Sequence, residues 1–329
     1  MRTFKMICKK RFAFSLVAQP SRLRVPVASR HHEARTPALQ AQSGTRFRAL
    51  IVFLSLCLCG CTSSHGQSTK SSGPIQYQHI VHHEPNFSIH VVRVNLKDPR
   101  VSVHVARGGA DPDGDGPWLT TLLPTSEIAE REHYSVAING DFFDAQATKD
   151  VEGKNTGYVR GKAAAPVGMA MSDGVLWHRP RSPRPYLEIT SSHVAKLEEG
   201  SEPIDAGARE MVGGSQIIVR DGHAVTFTNA FATLRHPRTA VGIDASGTQL
   251  TLLVVDGRQP ELSMGMSLAE LSEELVRLGC ASAINLDGGG STTFVYRNPG
   301  SKKLEVLNSP SDTKERSVAD VLGVTVEGQ

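Results

Sequence analysis

Residues 282 to 297 read SAINLDGGGSTTFVYR. A carboxylate, three glycines and a hydroxyl, Asp287 to Ser291, stand between two apolar runs. A plain hairpin needs one or two glycines, and each extra one costs backbone entropy on folding. The run therefore implies a use for bare backbone. Successive N–H groups without Cβ cover form a nest that holds an anion. The competing reading is a loose turn. Two other apolar runs end in the same kind of cluster. AIN at 137–139 runs into Gly140-Asp141, and LLVV at 252–255 into Asp256-Gly257-Arg258. AIN at 283–285 leads into Asp287. If these strands are neighbours in one sheet, Asn139, Asp141, Asp256, Asn285 and Asp287 converge on one edge. Ligand crevices of mixed sheets form at such strand ends.

An anion nest beside carboxylates suits a substrate with a negative group and a centre that becomes positive. A sugar 1-phosphodiester has both: a phosphate that needs donors and an oxocarbenium-like carbon that needs a carboxylate. Arg238, in HPRTAVG, is placed to offer a guanidinium to the phosphate. A solvated arginine is the plainer reading of that residue taken alone.

The elements that must position these groups are mostly strands. FSIHVVRVNL (87–96) and RVSVHVA (100–106) read as a hairpin around Lys97-Asp98-Pro99. PTSEIAERE (124–132) reads as a short helix with Thr/Ser caps. SVAIN (135–139) is a buried strand, and residues 145–163 form a long polar loop. Strand pairs surround Asp173-Gly174, Asp221-Gly222 and the Asp244–Gly247 turn, which is hairpin chemistry. SLAELSEELVRLG (267–279) carries a capping box, Ser267 with Glu270. Its apolar stripe is Leu268, Leu271, Leu275 and Leu278, and Gly279 ends it. A helix lying on a sheet gives an α+β or mixed α/β fold.

Charge divides the chain. Residues 1–60 hold eleven of its 36 Lys/Arg and one of its 33 acids, Glu33, which leaves 25 basic and 32 acidic side chains beyond. The body therefore shows no nucleic-acid footprint. RFRALIVFLSLCLCGC (46–61) has a charged start and an apolar stretch too short to span a bilayer. It ends Leu58-Cys59-Gly60-Cys61, which resembles a bacterial lipobox with Cys61 as the lipidated residue. Residues 1–60 are thus expected to be a leader, 62–75 a Ser/Gly-rich tether, and 76–329 a single domain. The expected location is the cell envelope, periplasm-facing, with the outer membrane favoured because Thr62 follows Cys61. With Cys61 acylated, Cys280 is left as a single buried thiol.

INGDFFD (138–144), HPRTAVGID (236–244), VVDGRQPELSMGMSLAELSEELVRLGCASAINLDGGGSTTFV (254–295) and NSPSDTKERSVADVLGV (308–324) resemble the bacterial phosphodiester glycosidase family. The likeness covers roughly residues 130–327 through four ordered motifs. It implies an α/β (α+β) fold of mixed, curved β-sheets with few helices around a central cleft. It implies hydrolysis of a sugar-1-phosphodiester at the sugar side, in an envelope or exopolysaccharide-type glycan. Its motifs single out Asn139, Arg238, Asp256, Asn285, Asp287, Gly288, Gly289, Ser291 and Arg316. On this reading Arg238, Ser291 and the Gly288–Gly290 amides hold phosphate. Asp287 acts at the anomeric carbon, Asp256 is the second carboxylate, and Asn139 and Asn285 orient substrate. Asp141 joins the catalytic candidates by its place at the strand end.

The rivals are few. A serine hydrolase would use Ser291, but the chain lacks a GxSxG elbow. Asp111, Asp113 and Asp115 match the first half of a calcium loop, but its twelfth position is Leu122 rather than Glu. Neither a zinc motif nor a cofactor motif is read, and no obligate protein partner. The alternative from another class is a non-enzymatic, glycan-binding envelope lipoprotein using the same cleft.

Overall fold

The apolar runs carry two buried faces each, so the strands need cover on both sides. The computed structural model describes residues 73–147, 157–201 and 206–328. The leader, Cys61 and nearly all of the tether lie outside the described residues. A seven-stranded sheet has the order Ile75–His83, Asn86–Asn95, Gln249–Val255, Arg238–Ile243, Ser282–Asn285, Gln216–Arg220, His223–Ala224. In it Val92, Val94, Val241, Leu252 and Val254 face the main core. Ile89, Val91, Ala240, Leu253 and Val255 face the opposite way, against the helix Leu268–Arg277. This is the two-residue period of a strand buried on both faces.

A five-stranded sheet closes the main core from the other side, in the order Leu304–Val306, Phe294–Arg297, Val136–Asn139, Asp320–Val326, Val101–Arg107. Its outer face packs on the helix Thr125–Arg131 through Ala137, Val295 and Val321. A second five-stranded sheet, holding Arg184–Thr190 and Ala208–Gly213, adds Leu187, Ile189 and Val212 to the same core. The expected α+β arrangement of several sheets with few helices is what forms, with three α-helices among the described residues. Every ladder among the described residues is antiparallel rather than mixed.

The helix at Leu268–Arg277 has both halves of its capping box, an arrangement worth about 1 kcal/mol. Leu268, Leu271 and Leu275 are fully buried under it, each contributing roughly 1.5–3 kcal/mol. Cys280 is a free, buried thiol beside this helix, and burial pushes its ionisation up.

Two expectations fail for tertiary reasons. Residues 87–96 and 100–106 do not form a hairpin. Both edges of Asn86–Asn95 are taken, by Ile75–His83 and by Gln249–Val255. Val101–Arg107 pairs instead with Asp320–Val326, so Lys97-Asp98-Pro99 turns the chain from one sheet to another. The helix Thr125–Arg131 is not capped by its own Thr or Ser; Pro124 occupies the cap position. Glu315, far along the chain, accepts the Ser126 N–H at 3.0 Å and also its hydroxyl.

Candidate active site

The three strand ends do meet, but from two sheets. Val136–Asn139 belongs to the five-stranded sheet, whereas Gln249–Val255 and Ser282–Asn285 belong to the seven-stranded one. Asn139 joins them. Its Nδ2 donates to the Asp287 carbonyl at 2.7 Å, and its Oδ1 accepts from Thr239 Oγ1 at 2.8 Å and from Thr293 N at 3.1 Å. Asp287 N closes the seam on the Gly140 carbonyl at 3.1 Å. Asn139 is fully buried and all of these contacts are internal, so it positions Asp287 rather than touching substrate.

Asp287 is partly open to solvent. Burial pushes its carboxyl up to about 6, against the pull of Ser291, Arg316 and the Gly288 N–H. That N–H donates to Asp287 Oδ1 at 2.9 Å. The Ser291 hydroxyl faces the carboxyl but lies outside ordinary hydrogen-bond geometry, and is a buried hydroxyl without a partner.

Asp287 in turn presses on two further carboxylates. Asp141 Oδ2 accepts from Gly168 N at 2.5 Å, and Asp320 Oδ1 accepts from Asp141 N at 2.8 Å. Both side chains are buried, and Asp141 Oδ1 and Asp320 Oδ2 have no partner. Burial, then the charge of Asp320, raises Asp141 well above the usual carboxylate range, despite the Gly168 and Phe142 N–H groups; Asp287 adds to the rise. Burial raises Asp320 to about 7, with the Asp141 N–H opposing and Asp287 adding. Like charges held together in a dry site cannot all ionise, so the pair keeps a proton toward neutral pH. Asp320 was not singled out by sequence; its signal is an acid opening the apolar run of SVADVLGV.

Asp256 sits in a different network. Its Oδ2 accepts from Ser88 Oγ at 2.9 Å, with His90 Nε2 at 3.4 Å. Its Oδ1 accepts from Ser309 N at 2.7 Å and Asn308 Nδ2 at 3.2 Å. The structure thus brings Asp141 and Asp320, rather than Asp256, to Asp287. Asn285 is also buried, with Nδ2 bonded to Ser215 Oγ at 2.8 Å and to the Leu286 carbonyl at 2.9 Å; its Oδ1 is unpartnered.

The cations correct the expectation about phosphate. Arg238 is 1% exposed. Its Nε donates to the Met266 carbonyl at 2.9 Å, and one terminal nitrogen to the carbonyls of Phe231 and Leu234 at 2.8 and 3.0 Å. It ties down the 231–238 turn. Arg258, part of the same DGR motif that supplied Asp256, is the exposed guanidinium, held by a left-handed backbone at φ 59°. Burial, then the Arg258 charge, lowers Arg238 to about 10, and the same two charges together with burial lower His236.

Several N–H groups of the glycine loop are already engaged within the fold. The N–H groups of Gly288, Gly289 and Ser291 go to Asp287 Oδ1, the Pro237 carbonyl and the Gly288 carbonyl. What the missing side chains permit is close approach. A Cβ on Gly289 would stand 3.0 Å from an Arg258 guanidinium nitrogen, and that backbone is left-handed at φ 62°. A Cβ on Gly290 would stand 2.0 Å from Arg316. Arg316 also pairs with Asp312 at 2.7 Å and lies over the Tyr158 ring. Two guanidinium groups thus rest on the bare loop that carries Asp287.

As for metals, Asp111 Oδ1 accepts from its own loop, from Asp113 N and Gly114 N. His104, Asp173 and Glu210 bring ligand atoms within 4.8 Å of one another, but both Glu210 oxygens accept backbone N–H groups, from Val105 and Asp173.

The site is thus a carboxylate with two guanidinium groups beside it at the seam of two sheets. Residues 132–325, more than half of the chain, match the family described as phosphodiester glycosidase. The chain belongs to that family. Among curated relatives, N-acetylglucosamine-1-phosphodiester alpha-N-acetylglucosaminidase of Bos taurus is 49% identical over 67 residues, 20% of this chain and 12% of that protein. The Homo sapiens protein of the same name is 34% identical over 111 residues, 34% of this chain and 20% of that protein. The chain thus matches a small part of these relatives' length. The zebrafish catalytic domain of that enzyme, auto-inhibited by its pro-peptide, shares the fold. It has a TM-score of 0.53 at 22% identity and covers 76% of this chain and 82% of its own. A putative exported protein of Burkholderia pseudomallei shares it too, at TM-score 0.52 and 18% identity, over 73% of this chain and 74% of its own.

Proposed function

We propose that this protein hydrolyses a sugar-1-phosphodiester at the sugar side in an envelope or exopolysaccharide-type glycan, releasing a phosphomonoester. The observation that carries the reading is partly exposed Asp287 on a glycine loop gripped by Arg258 and Arg316. A phosphomonoester is already a good leaving group, so the main need is charge stabilisation on two sides. The guanidinium groups face the phosphate. Asp287 faces the anomeric carbon, by direct attack or by taking a proton from water. The C1–O bond breaks with its electron pair on the phosphate, and water supplies the new C1–O bond. The Asp141–Asp320 pair holds a proton beside Asp287, so little negative charge adds to that carboxylate's own.

The test is turnover on a panel of sugar-1-phosphodiesters with product analysis. Release of sugar plus phosphomonoester supports the reading; release of an alcohol plus sugar phosphate overturns it. A pH profile adds a signed expectation. Asp287 works ionised and is raised to about 6, so kcat falls as pH drops through about 6 and is flat above it. An acid limb near the ordinary carboxylate value of ~4 removes Asp287 from the chemistry.

The leader supports a location. Cys61 as a lipidated N-terminus would tether the enzyme to the envelope bilayer, most simply the outer membrane. A mature chain whose first residue is diacylglyceryl-Cys61 by mass spectrometry is the expected result. An unmodified Cys61 overturns the anchor.

A further inference from the structure

Two cavities adjoin the backbone that holds the carboxylates. One, of about 400 Å³, is lined by Trp118, Asp144, Val167, His178, Arg181 and Arg184 among others. The other, of about 560 Å³, is lined by Arg184, Ser215, Gln216, Arg220 and Phe227 among others. They share Ser182 and Arg184 and so lie side by side, a groove in two parts. Each part touches a residue fixed to the candidate site. Gly168, next to Val167, gives its N–H to Asp141 and its carbonyl to His178 Nδ1 at 2.5 Å. Ser215 accepts from Asn285 Nδ2.

The groove has a sign. Arg220 is matched by Glu199 at 3.9 Å, whereas Arg181 and Arg184 have no ion pair among the described residues. Asp144 is the single acid in the first cavity. Burial keeps His178 below its usual range, and its bond to a carbonyl fixes the proton on Nδ1 and leaves Nε2 an acceptor. Half-buried Trp118 lines the first cavity and half-buried Phe227 the second. Aromatic faces for sugar rings, one neutral imidazole and two unpaired guanidiniums fit a glycan chain that repeats a negative charge.

We propose that this groove binds the polymeric leg of the substrate, several units of a phosphodiester-linked glycan, with Arg181 and Arg184 each taking a phosphate beyond the bond that is cut. The proposal rests on the hydrolytic reading for its choice of phosphate, but binding is measured without turnover, so the two fail separately. The probes are a phosphodiester-linked hexasaccharide and neutral maltohexaose, titrated calorimetrically into the full chain. The charged probe is expected to bind, the neutral one at least ~10-fold more weakly, and added salt to narrow the gap. Arg181→Ala with Arg184→Ala is expected to raise Kd for the charged probe at least ~10-fold. Exposed Arg181→Glu alone gives the same direction without touching a packed side chain. In kinetics, the double variant raises KM on the hexasaccharide with kcat unchanged, and leaves a small sugar-1-phosphodiester untouched. Equal binding of the two probes, or unchanged affinity in both variants, overturns the proposal.

Discussion

Asp287→Asn lowers kcat on a sugar-1-phosphodiester by at least ~10²-fold, the scale expected for loss of a general base or nucleophile, with no fall in the thermal unfolding midpoint. The substitution keeps what holds the loop. The Gly288 N–H still finds an amide oxygen where Asp287 Oδ1 stood at 2.9 Å, and the backbone bonds to Asn139 and Gly140 do not involve the side chain. What it removes is the charge, which burial makes costly and which presses on Asp141 and Asp320. Asn there relieves repulsion, so no fold loss confuses the reading. If Asp287 only capped its turn, Asn would keep near-full turnover, and the chemistry would pass to Asp141 or to Asp256.

Arg258→Ala reduces kcat/KM on phosphodiester substrates about 10²-fold, the lower end for removing a charge-stabilising donor, and spares any simple aryl glycoside the enzyme cleaves. Arg258 is exposed and its charge is felt by Arg238 and His236. Its removal therefore weakens the phosphate side of the site without opening the core. Arg238→Ala provides the contrast. It leaves the buried carbonyls of Met266, Phe231 and Leu234 without their donor, so its main effect is on stability. Loss of phosphate selectivity in Arg238→Ala, with Arg258→Ala unaffected on both substrates, would return the phosphate to Arg238.

Local chemistry was legible in the sequence wherever a residue type and its immediate neighbours suffice. The capping box at Ser267 and Glu270 formed as read. Asp173-Gly174 and Asp221-Gly222 adopt the left-handed pairs of tight hairpins, with φ of 51° and 79°, then 51° and 75°. The runs ending at Asn139, Val255 and Asn285 are strands, and the ordered motifs around them define the family. The sequence alone also singled out Asp287 and the glycine triplet, because three adjacent glycines have no local purpose that repays their entropy.

Only the tertiary structure decided how those pieces meet. A strand's partner depends on which edges are free, so Val101–Arg107 went to Asp320–Val326 and not to its sequence neighbour. The same pairing carries Asp320 to the backbone of Asp141, across a separation that no local pattern reports. Arg238 and Arg258 look equally available in one dimension. Burial among three carbonyls commits the first to the fold, and a left-handed turn leaves the second exposed. The use of the glycines is the same lesson. Bare backbone permits close packing as well as an anion nest, and Arg258, Arg316 and the Pro237 carbonyl arrive there from other parts of the chain to use it.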